Sequence, residues 1–287
     1  MKMPLRPDEQ AVRERFDELY RLGQAPIMRE IERAVCGCDY GVTSWTTRRE
    51  AERVGELLGM GPGQRLLEVG AGSGWPGLYL ARTTGCDVTL LDLPLAGLRI
   101  GAERAVADRL PGACWSVLAD GAALPFGSGA FDAVSHSDVL CCLDAKLPVL
   151  RACRRVIRRG GRMVFTVIFP KPGLSSADHA RAVESGPPFV ETALAYPAML
   201  RRAGWVVTDR ADLTAEYAET VRRLMREEEA QADELSGLYG AAEFSEKLAG
   251  QRRTLRTLEV GLLQREMFAA TTAAGARPGA RVAPGGR

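Results

Sequence analysis

The sequence has 287 residues, which suits one large α/β domain with an accessory element better than two independent domains. Its composition is ordinary for a globular protein, with 46% hydrophobic and 26% charged residues, and a formal net charge of +2 excludes a strong electrostatic attraction to nucleic acid. Charges scattered through positions 1–20 exclude a secretory signal, and no apolar run is long enough for a membrane span. Seven cysteines, an odd number, then predict reduced thiols in the cytoplasm.

Residues 1–61 predict an N-terminal helical cap or lid, with helices at 11–22 and 48–58. Glycine and β-branched residues at 36–47 oppose helix formation and separate the two. From residue 65, short apolar runs alternate with helical stretches, which predicts right-handed βαβ crossovers and a doubly wound, mostly parallel α/β sheet. The strands are expected at 65–70, 86–93, 114–119, 131–137, 162–169 and 205–210, and the helices at 76–84, 95–109, 146–158 and 190–203.

The last part of the chain combines polar helices with one strand. Residues 214–250 predict one or two long polar helices, within a helical insertion at 214–258 that would lie over a sheet edge or the mouth of a site. Residues 262–272 predict the last strand, so that the α/β domain spans 62–272. The tail at 273–287, rich in Gly, Ala, Pro and Arg, has too little apolar surface to fold and is predicted to be disordered.

The strongest pattern is a strand that runs into a glycine turn and then a helix, Leu66-Leu-Glu-Val-Gly-Ala-Gly-Ser-Gly-Trp-Pro-Gly77. Gly70, Gly72 and Gly74 permit positive φ and a close approach of a ligand. The following helix N-terminus directs amide donors at a negative group. We therefore expect a nucleotide-like cofactor at this turn.

The choice of cofactor depends on the residues around the turn. Residues 72–77 satisfy the dinucleotide pattern G-x-G-x-x-G, and Asp92 follows at the distance that suits a ribose hydroxyl. However, the first glycine of that pattern directly follows the strand, and here that residue is Gly70. A pattern that starts at Gly70 would require a third glycine at the position of Trp75. Glu68 would repel a pyrophosphate but favour a cofactor with ammonium and sulfonium charges. Alternatively, Glu68 only caps local amides and the glycines only form a turn.

Five segments in series resemble motifs of the class I S-adenosylmethionine-dependent methyltransferases. They are residues 68–74, Asp92, and residues 118–126, 131–140 and 156–165. The resemblance covers about residues 48–210 and implies a Rossmann-like, seven-stranded sheet whose final antiparallel strand lies at 262–272. It also implies S-adenosylmethionine as cofactor, S-adenosylhomocysteine as product, and a small-molecule acceptor such as a quinone, amine or sterol.

The resemblance assigns Asp92 to the ribose of the cofactor and Asp120 to its adenine amino group. Tyr40 and Trp45 either cover the sulfonium by cation–π attraction or anchor the N-terminal segment to the sheet. The expected cofactor-binding residues are Glu68, Gly70, Gly72, Gly74, Asp92, Leu93, Asp120, Gly121, Ser137, Tyr40 and Trp45.

A catalytic base is optional, because in-line methyl transfer relies on alignment and exclusion of water. The candidates are His136 and Asp138, which an extended strand would place on one face with Ser137 on the other, and His179 after the fifth strand. Each has a structural alternative, in which His136 is buried, Asp138 caps the next segment and His179 is solvated. Several members of the family have a histidine near the position that Cys142 occupies here. This chain lacks that histidine, which argues against assigning the catalytic base of those members to this chain.

Two close cysteine pairs, Cys36 with Cys38 and Cys141 with Cys142, would together bind a soft ion or an arsenical, or accept a methyl group. Their spacings match no common zinc module, and small buried cysteines are frequent. No metal site is therefore predicted.

Other functions fit the sequence less well. A nucleic-acid methyltransferase that acts on base amino groups would need the Asn/Asp-Pro-Pro-aromatic motif, which residues 135–138 lack. It would also need a stripe of basic residues interleaved with aromatic ones, which the sequence does not show. The arginines of the tail are the only feature in its favour. A non-catalytic S-adenosylmethionine-binding scaffold, with a homodimer through the helices after Thr214, and a nicotinamide-dependent reductase stay open. A catechol-type, metal-dependent methyltransferase is disfavoured, because no Asp-Asn pair follows the fifth strand.

Overall fold

Seven strands form one sheet in the order β3-β2-β1-β4-β5-β7-β6. The computed structural model describes residues 7–41 and 44–272, so the predicted tail at 273–287 lies outside the described residues. The first five strands pair in parallel, whereas β7 is antiparallel to both β5 and β6. This confirms the predicted mostly parallel sheet with an antiparallel last strand. The strands are β1 (Arg65–Val69), β2 (Asp87–Asp92), β3 (Cys114–Leu118), β4 (Phe131–Ser137), β5 (Ile157–Pro170), β6 (Trp205–Asp212) and β7 (Leu263–Thr272).

Eleven α-helices lie around this sheet in the described ranges. Three precede the first strand, and three lie between β6 and β7, where the sequence predicted one or two. The insertion divides into three because its helices end at Gln231 and at Gly240, which has φ +87°. The helices are α1 (Pro7–Leu22), α2 (Pro26–Cys36), α3 (Arg48–Leu58), α4 (Gly77–Thr84), α5 (Leu95–Ala107), α6 (Lys146–Val156), α7 (Ser176–Ser185), α8 (Tyr196–Arg202), α9 (Thr214–Ala230), α10 (Ala232–Tyr239) and α11 (Ala241–Glu259).

Most predicted elements are found, with differences at glycines and prolines. The bounds of α3 and β4 match the prediction, and β1, β2 and β3 differ by one residue at an end. β5 begins at Ile157 rather than 162, because Gly160 and Gly161 lie inside that strand where its register with β4 shifts. α8 begins at Tyr196 rather than 190, with Pro197 in its first turn. α2 and α7 have no counterpart among the individually predicted helices.

The sheet separates two apolar cores, which explains its continuous hydrophobic strands. Leu66 and Leu67 are adjacent and fully buried on opposite faces. Leu67 belongs to the core that includes Leu150 of α6 and Leu200 of α8. Leu66 belongs to the core that includes Val54 of α3, together with residues of α4 and α5. Both faces of the sheet are thus covered, as a doubly wound fold requires.

Helices from both ends of the described chain pack around the central sheet. α1 contacts α5, α2 contacts α9, and α3 contacts α4 and β5. The insertion begins directly after β6, where the Leu213 amide donates to the carbonyl of Arg265 on β7 at 2.8 Å. No helix among the described residues is long and apolar enough to span a membrane.

Candidate functional site

A cavity of about 1240 Å³ lies at the carboxyl ends of β1, β2, β3 and β4. The sheet order changes direction between β1 and β4, which is where ligands bind in open α/β sheets. The walls of the cavity also include α1, residues after α7, and the insertion helices. Segments that are distant in sequence therefore meet around one space.

The glycine turn forms the floor beside β1. Gly70 has φ +69° and Gly72 has φ +52°, a region that favours glycine. A Cβ atom on Gly70 would lie 2.4 Å from Cγ2 of Val139, and one on Gly72 would lie 2.6 Å from the Tyr20 hydroxyl oxygen. Side chains at these two positions would therefore displace the residues that close the turn. Gly74 also has positive φ, but its missing Cβ faces Leu78 rather than the cavity.

Asp92 ends β2 at the cavity wall. Its carboxylate accepts hydrogen bonds from the amides of Gly72 at 2.7 Å and Leu93 at 2.8 Å. Burial raises the pKa of Asp92 to about 6, although these two amide bonds act in the opposite direction. The carboxylate thus joins the glycine turn to the end of β2 and presents acceptor oxygens to the cavity.

Asp120 follows β3 and lies on the same wall. One carboxylate oxygen accepts from the Ala122 amide at 2.8 Å and caps a short 3-10 turn, Gly121–Ala123. The other oxygen accepts no hydrogen bond from the described residues. Leu93, Gly121 and Ser137 also line the cavity. Most of the predicted cofactor residues after β1 to β4 are therefore brought together.

Glu68 lies behind the glycine turn and does not line the cavity. Its side chain is fully buried, with one oxygen accepting from the Ser135 hydroxyl and the other having no partner among the described residues. Burial raises the pKa of Glu68 to about 7. Direct contact of Glu68 with a cofactor stays a prediction.

Comparison with known proteins identifies sequences that the chain resembles. Residues 67–165 match the family described as "Methyltransferase domain". Methyltransferase GfsG of Streptomyces halstedii is 29% identical over 178 residues, which cover 60% of this chain and 63% of that protein. The segment that matches the family contains the glycine turn, Asp92 and Asp120. The chain spans less than two thirds of the length of the curated relatives that head the comparison.

Solved structures of proteins with different activities share the fold of this chain. The [4+2]-cyclase SpnF has a TM-score of 0.72 and 21% identity, over 95% of this chain and 99% of the other. The geranyl diphosphate C-methyltransferase of Streptomyces coelicolor A3(2), in complex with S-adenosylhomocysteine, has a TM-score of 0.69 and 18% identity, over 93% and 99%. At these identities the likeness shows the fold.

His136 is buried inside the sheet and does not line the cavity. Its ring stacks on Phe165 at 4.6 Å between centroids, and neither ring nitrogen has a partner among the described residues. Burial lowers the pKa of His136 to about 3. The ring is therefore neutral at physiological pH and is separated from an acceptor in the cavity.

Asp138 lines the cavity but does not continue the strand. β4 ends at Ser137, and Asp138 has φ +53°, so the prediction that His136 and Asp138 share one face of an extended strand is wrong. The reason is an ion pair, because both carboxylate oxygens of Asp138 accept from Nε of the fully buried Arg265 at 3.1 Å. The guanidinium also donates to Glu50 at 2.8 Å.

Arg265 was absent from the predicted site. It lies on β7, and its guanidinium also approaches the hydroxyls of Thr46 at 3.3 Å and Thr166 at 3.5 Å. The only sequence signal is a charged pair, Arg265 and Glu266, inside an otherwise apolar strand. Such a charge in a buried strand indicates a partner inside the protein.

His179 lies on α7 and is half-exposed. Its Nδ1 is 3.8 Å from a carboxylate oxygen of Glu191, and the side chain does not line the cavity. Neither histidine of the chain thus reaches the cavity wall.

Tyr40 and Trp45 both line the cavity, from the segment between α2 and α3. The guanidinium carbon of Arg104 lies 3.8 Å from the centroid of the Tyr40 ring, so a cation of the protein already occupies one face of that ring. Trp45 packs edge-on against Tyr217, with 5.0 Å between centroids. Their predicted role at the sulfonium is not tested by these contacts.

All seven cysteines are free thiols. Cys36, Cys141 and Cys142 line the cavity, whereas Cys38 donates from its thiol to Glu32 at 3.3 Å. Burial raises the pKa of Cys141, which keeps that thiol protonated. In the part of the chain that the structure describes, no three His, Cys, Asp or Glu side chains form a group that could hold a metal ion.

Proposed function

We propose that this chain binds S-adenosylmethionine in the cavity and transfers its methyl group to a small-molecule acceptor. The observation that carries the proposal is the continuous wall formed by the glycine turn, Asp92 and Asp120 in a chain that resembles methyltransferases. When bound, the cofactor supplies a methyl group on a sulfonium centre, which is open to in-line displacement.

The residues on the wall fit an adenosyl group. Gly70 and Gly72 line the cavity with backbone alone, and their positive φ angles turn the chain at this point. The Asp92 carboxylate suits the ribose hydroxyls, and the free oxygen of Asp120 suits the adenine amino group, since each offers an acceptor to a donor. Leu93 and Ala119 supply apolar contact beside them. These roles follow from the chemistry of each side chain.

The remaining contribution of the protein is enclosure and alignment. α1, the segment with Trp45, and the insertion helices line the cavity, and their closure around bound ligands would exclude water. Among the candidate bases, His136 and His179 lie off the wall and Asp138 is held by Arg265. We therefore infer that positioning, rather than proton abstraction by one of these three residues, supplies the acceleration.

Several sequence predictions stay part of this proposal. They are a cytoplasmic location, a homodimer, the lack of a nucleic-acid partner, and the division into a cap at 1–61 and a domain at 62–272. An enclosed cavity favours a small molecule over a nucleic-acid strand.

Calorimetric titration with S-adenosylhomocysteine tests the proposal. We expect the wild type to bind, and Asp92→Asn to raise the dissociation constant about tenfold or more, because a charge-assisted hydrogen bond to the ribose is lost. Affinity should also fall below about pH 6, where Asp92 becomes protonated.

The matched control is Asp87→Asn. Asp87 begins the same strand, accepts from the Ala113 amide at 2.8 Å, and does not line the cavity. Its replacement should leave the affinity unchanged. Absence of binding by the folded wild type would refute the proposed function, and equal effects of the two variants would refute the role of Asp92.

A further inference from the structure

The cavity continues past the glycine turn towards β5 and the insertion helices. We call this part the acceptor chamber, and it is lined by Trp45, Cys142, Ile168, Tyr217, Val221 and Leu224. The whole cavity measures about 1240 Å³, whereas a site for one small ligand measures roughly 300–1,000 Å³. Space therefore remains for a second molecule of considerable size beside the cofactor.

The inner wall of the acceptor chamber has little charge available for a ligand. Its less exposed charged side chains are already paired within the protein: Glu32 with the Gly41 amide and the Cys38 thiol, Asp138 with Arg265, and Lys247 with Glu228. A charged acceptor would lose hydration here without gaining a counter-ion, which is unfavourable.

The other charged side chains of the cavity lie elsewhere. Asp144 before α6 and four side chains of α7 and α11 are exposed at its rim, the four being Glu184, Glu243, Glu246 and Arg253. The charged side chains of α1 that line the cavity precede Tyr20, which packs on Gly72, and they therefore belong to the cofactor side; they are Glu9, Arg13, Arg15 and Glu18. Within the described residues, the inner wall leaves apolar groups, hydroxyls and the buried Oε1 atom of Gln251, which has no hydrogen-bond partner there.

Tyr217 supplies the hydroxyl. It is only 2% exposed, it lines the acceptor chamber, and its hydroxyl makes no hydrogen bond with any described residue. Trp45 packs on the ring at 5.0 Å, and the guanidinium carbon of Arg265 lies 5.7 Å from the ring centroid. Burial raises the pKa of Tyr217, so the hydroxyl stays protonated and offers one donor and one acceptor. The hydroxyl oxygen is open to the cavity, so a ligand group in the acceptor chamber can form a hydrogen bond with it.

We propose that the acceptor chamber binds a bulky, uncharged acceptor and that the Tyr217 hydroxyl forms a hydrogen bond with a hydroxyl or carbonyl group of that acceptor. This inference rests on the proposed function, because it assigns the second half of the same cavity. Tyr217 is a specificity-determining residue, fixed by Trp45 and Arg265 on a rigid helix.

The test compares uncharged and charged probes. Erythronolide B and cholesterol are the uncharged probes, and phosphoethanolamine and geranyl diphosphate are the charged ones. Each is titrated into the protein loaded with S-adenosylhomocysteine, and each is assayed for transfer of labelled methyl from S-adenosylmethionine. We expect at least one uncharged probe to bind and to accept the methyl group. We expect neither charged probe to bind or to accept it.

Tyr217→Phe then tests the hydrogen bond. It should raise the acceptor KM about tenfold while kcat and the affinity for S-adenosylhomocysteine stay within about twofold. Tyr196→Phe is the matched control, since Tyr196 is equally buried, its hydroxyl also lacks a partner among the described residues, and it does not line the cavity. Each variant removes only an unpartnered hydroxyl, so both should fold.

The outcomes separate the two proposals. Binding of a charged probe, failure of both uncharged probes, or an unchanged acceptor KM in Tyr217→Phe would overturn the inference about the acceptor chamber. Failure of the wild type to bind S-adenosylhomocysteine would instead count against the proposed function.

Discussion

His136 and Arg265 are both fully buried ionisable residues, but their surroundings differ. The ring nitrogens of His136 have no partner among the described residues, so burial favours the neutral form. The guanidinium of Arg265 has Asp138 and Glu50 beside it and stays charged. Burial alone therefore does not decide the charge of a side chain in this protein, because the partners decide it.

The lowered pKa of His136 predicts a loss of stability in acid. Below about pH 6.5 the unfolded chain binds a proton that the folded chain rejects until about pH 3, so the free energy of unfolding falls as the pH decreases across this interval. His136→Phe removes this effect and keeps the stacking on Phe165.

Urea unfolding of both proteins measures the difference. Relative to wild type, His136→Phe should gain about 2 kcal/mol between pH 7 and pH 5. Binding of S-adenosylhomocysteine at pH 7 serves as the control for an intact fold. Parallel pH profiles of the two proteins would show that His136 is protonated in the folded state.

The sequence could locate Asp92 and Asp120 because each directly follows an apolar run. The carboxyl ends of parallel strands lie at one edge, so the runs themselves determine where these residues meet. Tyr217 could not be located in this way. It lies in a polar helix whose placement depends on packing against β7, and no local pattern encodes that packing.

At the scale of elements, β7 links three parts of the fold. It lies between β5 and β6, and its Arg265 binds Glu50 of α3 and Asp138 after β4. One guanidinium thus holds the N-terminal segment, the end of β4 and the last strand together. Since Asp138 also lines the cavity, this ion pair contributes to the shape of the wall.

Arg265→Met should destabilise the protein by about 3–5 kcal/mol, because two buried carboxylates lose their counter-ion. Arg53→Met is the control, since the pair of Arg53 with Asp209 is exposed and is worth less than about 1 kcal/mol. The triple variant with Asp138→Asn and Glu50→Gln should regain part of the loss. The measurement is the urea midpoint, and similar midpoints for Arg265→Met and Arg53→Met would contradict the prediction.

Element prediction from the sequence succeeded where the hydrophobic period was regular. α3 has both a capping box at Thr47 and an αL residue at Gly59, and its bounds were predicted without error. β5 was predicted too short, because Gly160 and Gly161 are typical of a turn yet lie in an irregular part of the strand, between Ile157 and Arg162, which both pair with β4. The hydroxyls of Thr271 and Thr272 on β7 form hydrogen bonds with the backbone of these two glycines. Strand pairing over long sequence distances overrides local preference at such positions.

At the scale of the whole molecule, the cavity is closed by both ends of the described chain. α1 covers the cofactor side, whereas α9 to α11 cover the acceptor side. α1 buries little apolar surface, because Tyr20 is its only buried apolar residue in the described range. The Asp17 carboxylate accepts a hydrogen bond from the Ala96 amide at 2.7 Å. We therefore expect α1 to open for the cofactor to pass.

Limited trypsin digestion tests this opening. Saturating S-adenosylhomocysteine should slow cleavage after Arg15 on α1 about threefold or more, because the ligand stabilises the closed state. Cleavage after Arg226 on α9 is the internal reference. Asp17→Ala should speed cleavage at Arg15, whereas Glu14→Ala, on the exposed face, should not. Equal protection at both sites would indicate general stabilisation instead of opening at α1.

The position of β7 also matters while the chain is being synthesised. β2 to β5 each pair with a strand that precedes them in the chain, but among the described strands β6 pairs only with β7, which follows three helices later. A nascent chain arrested before residue 263 therefore has a bare edge on β5 and two acidic groups without their guanidinium. Such a fragment can pair with other chains, so we expect incomplete translation products to aggregate or to be degraded.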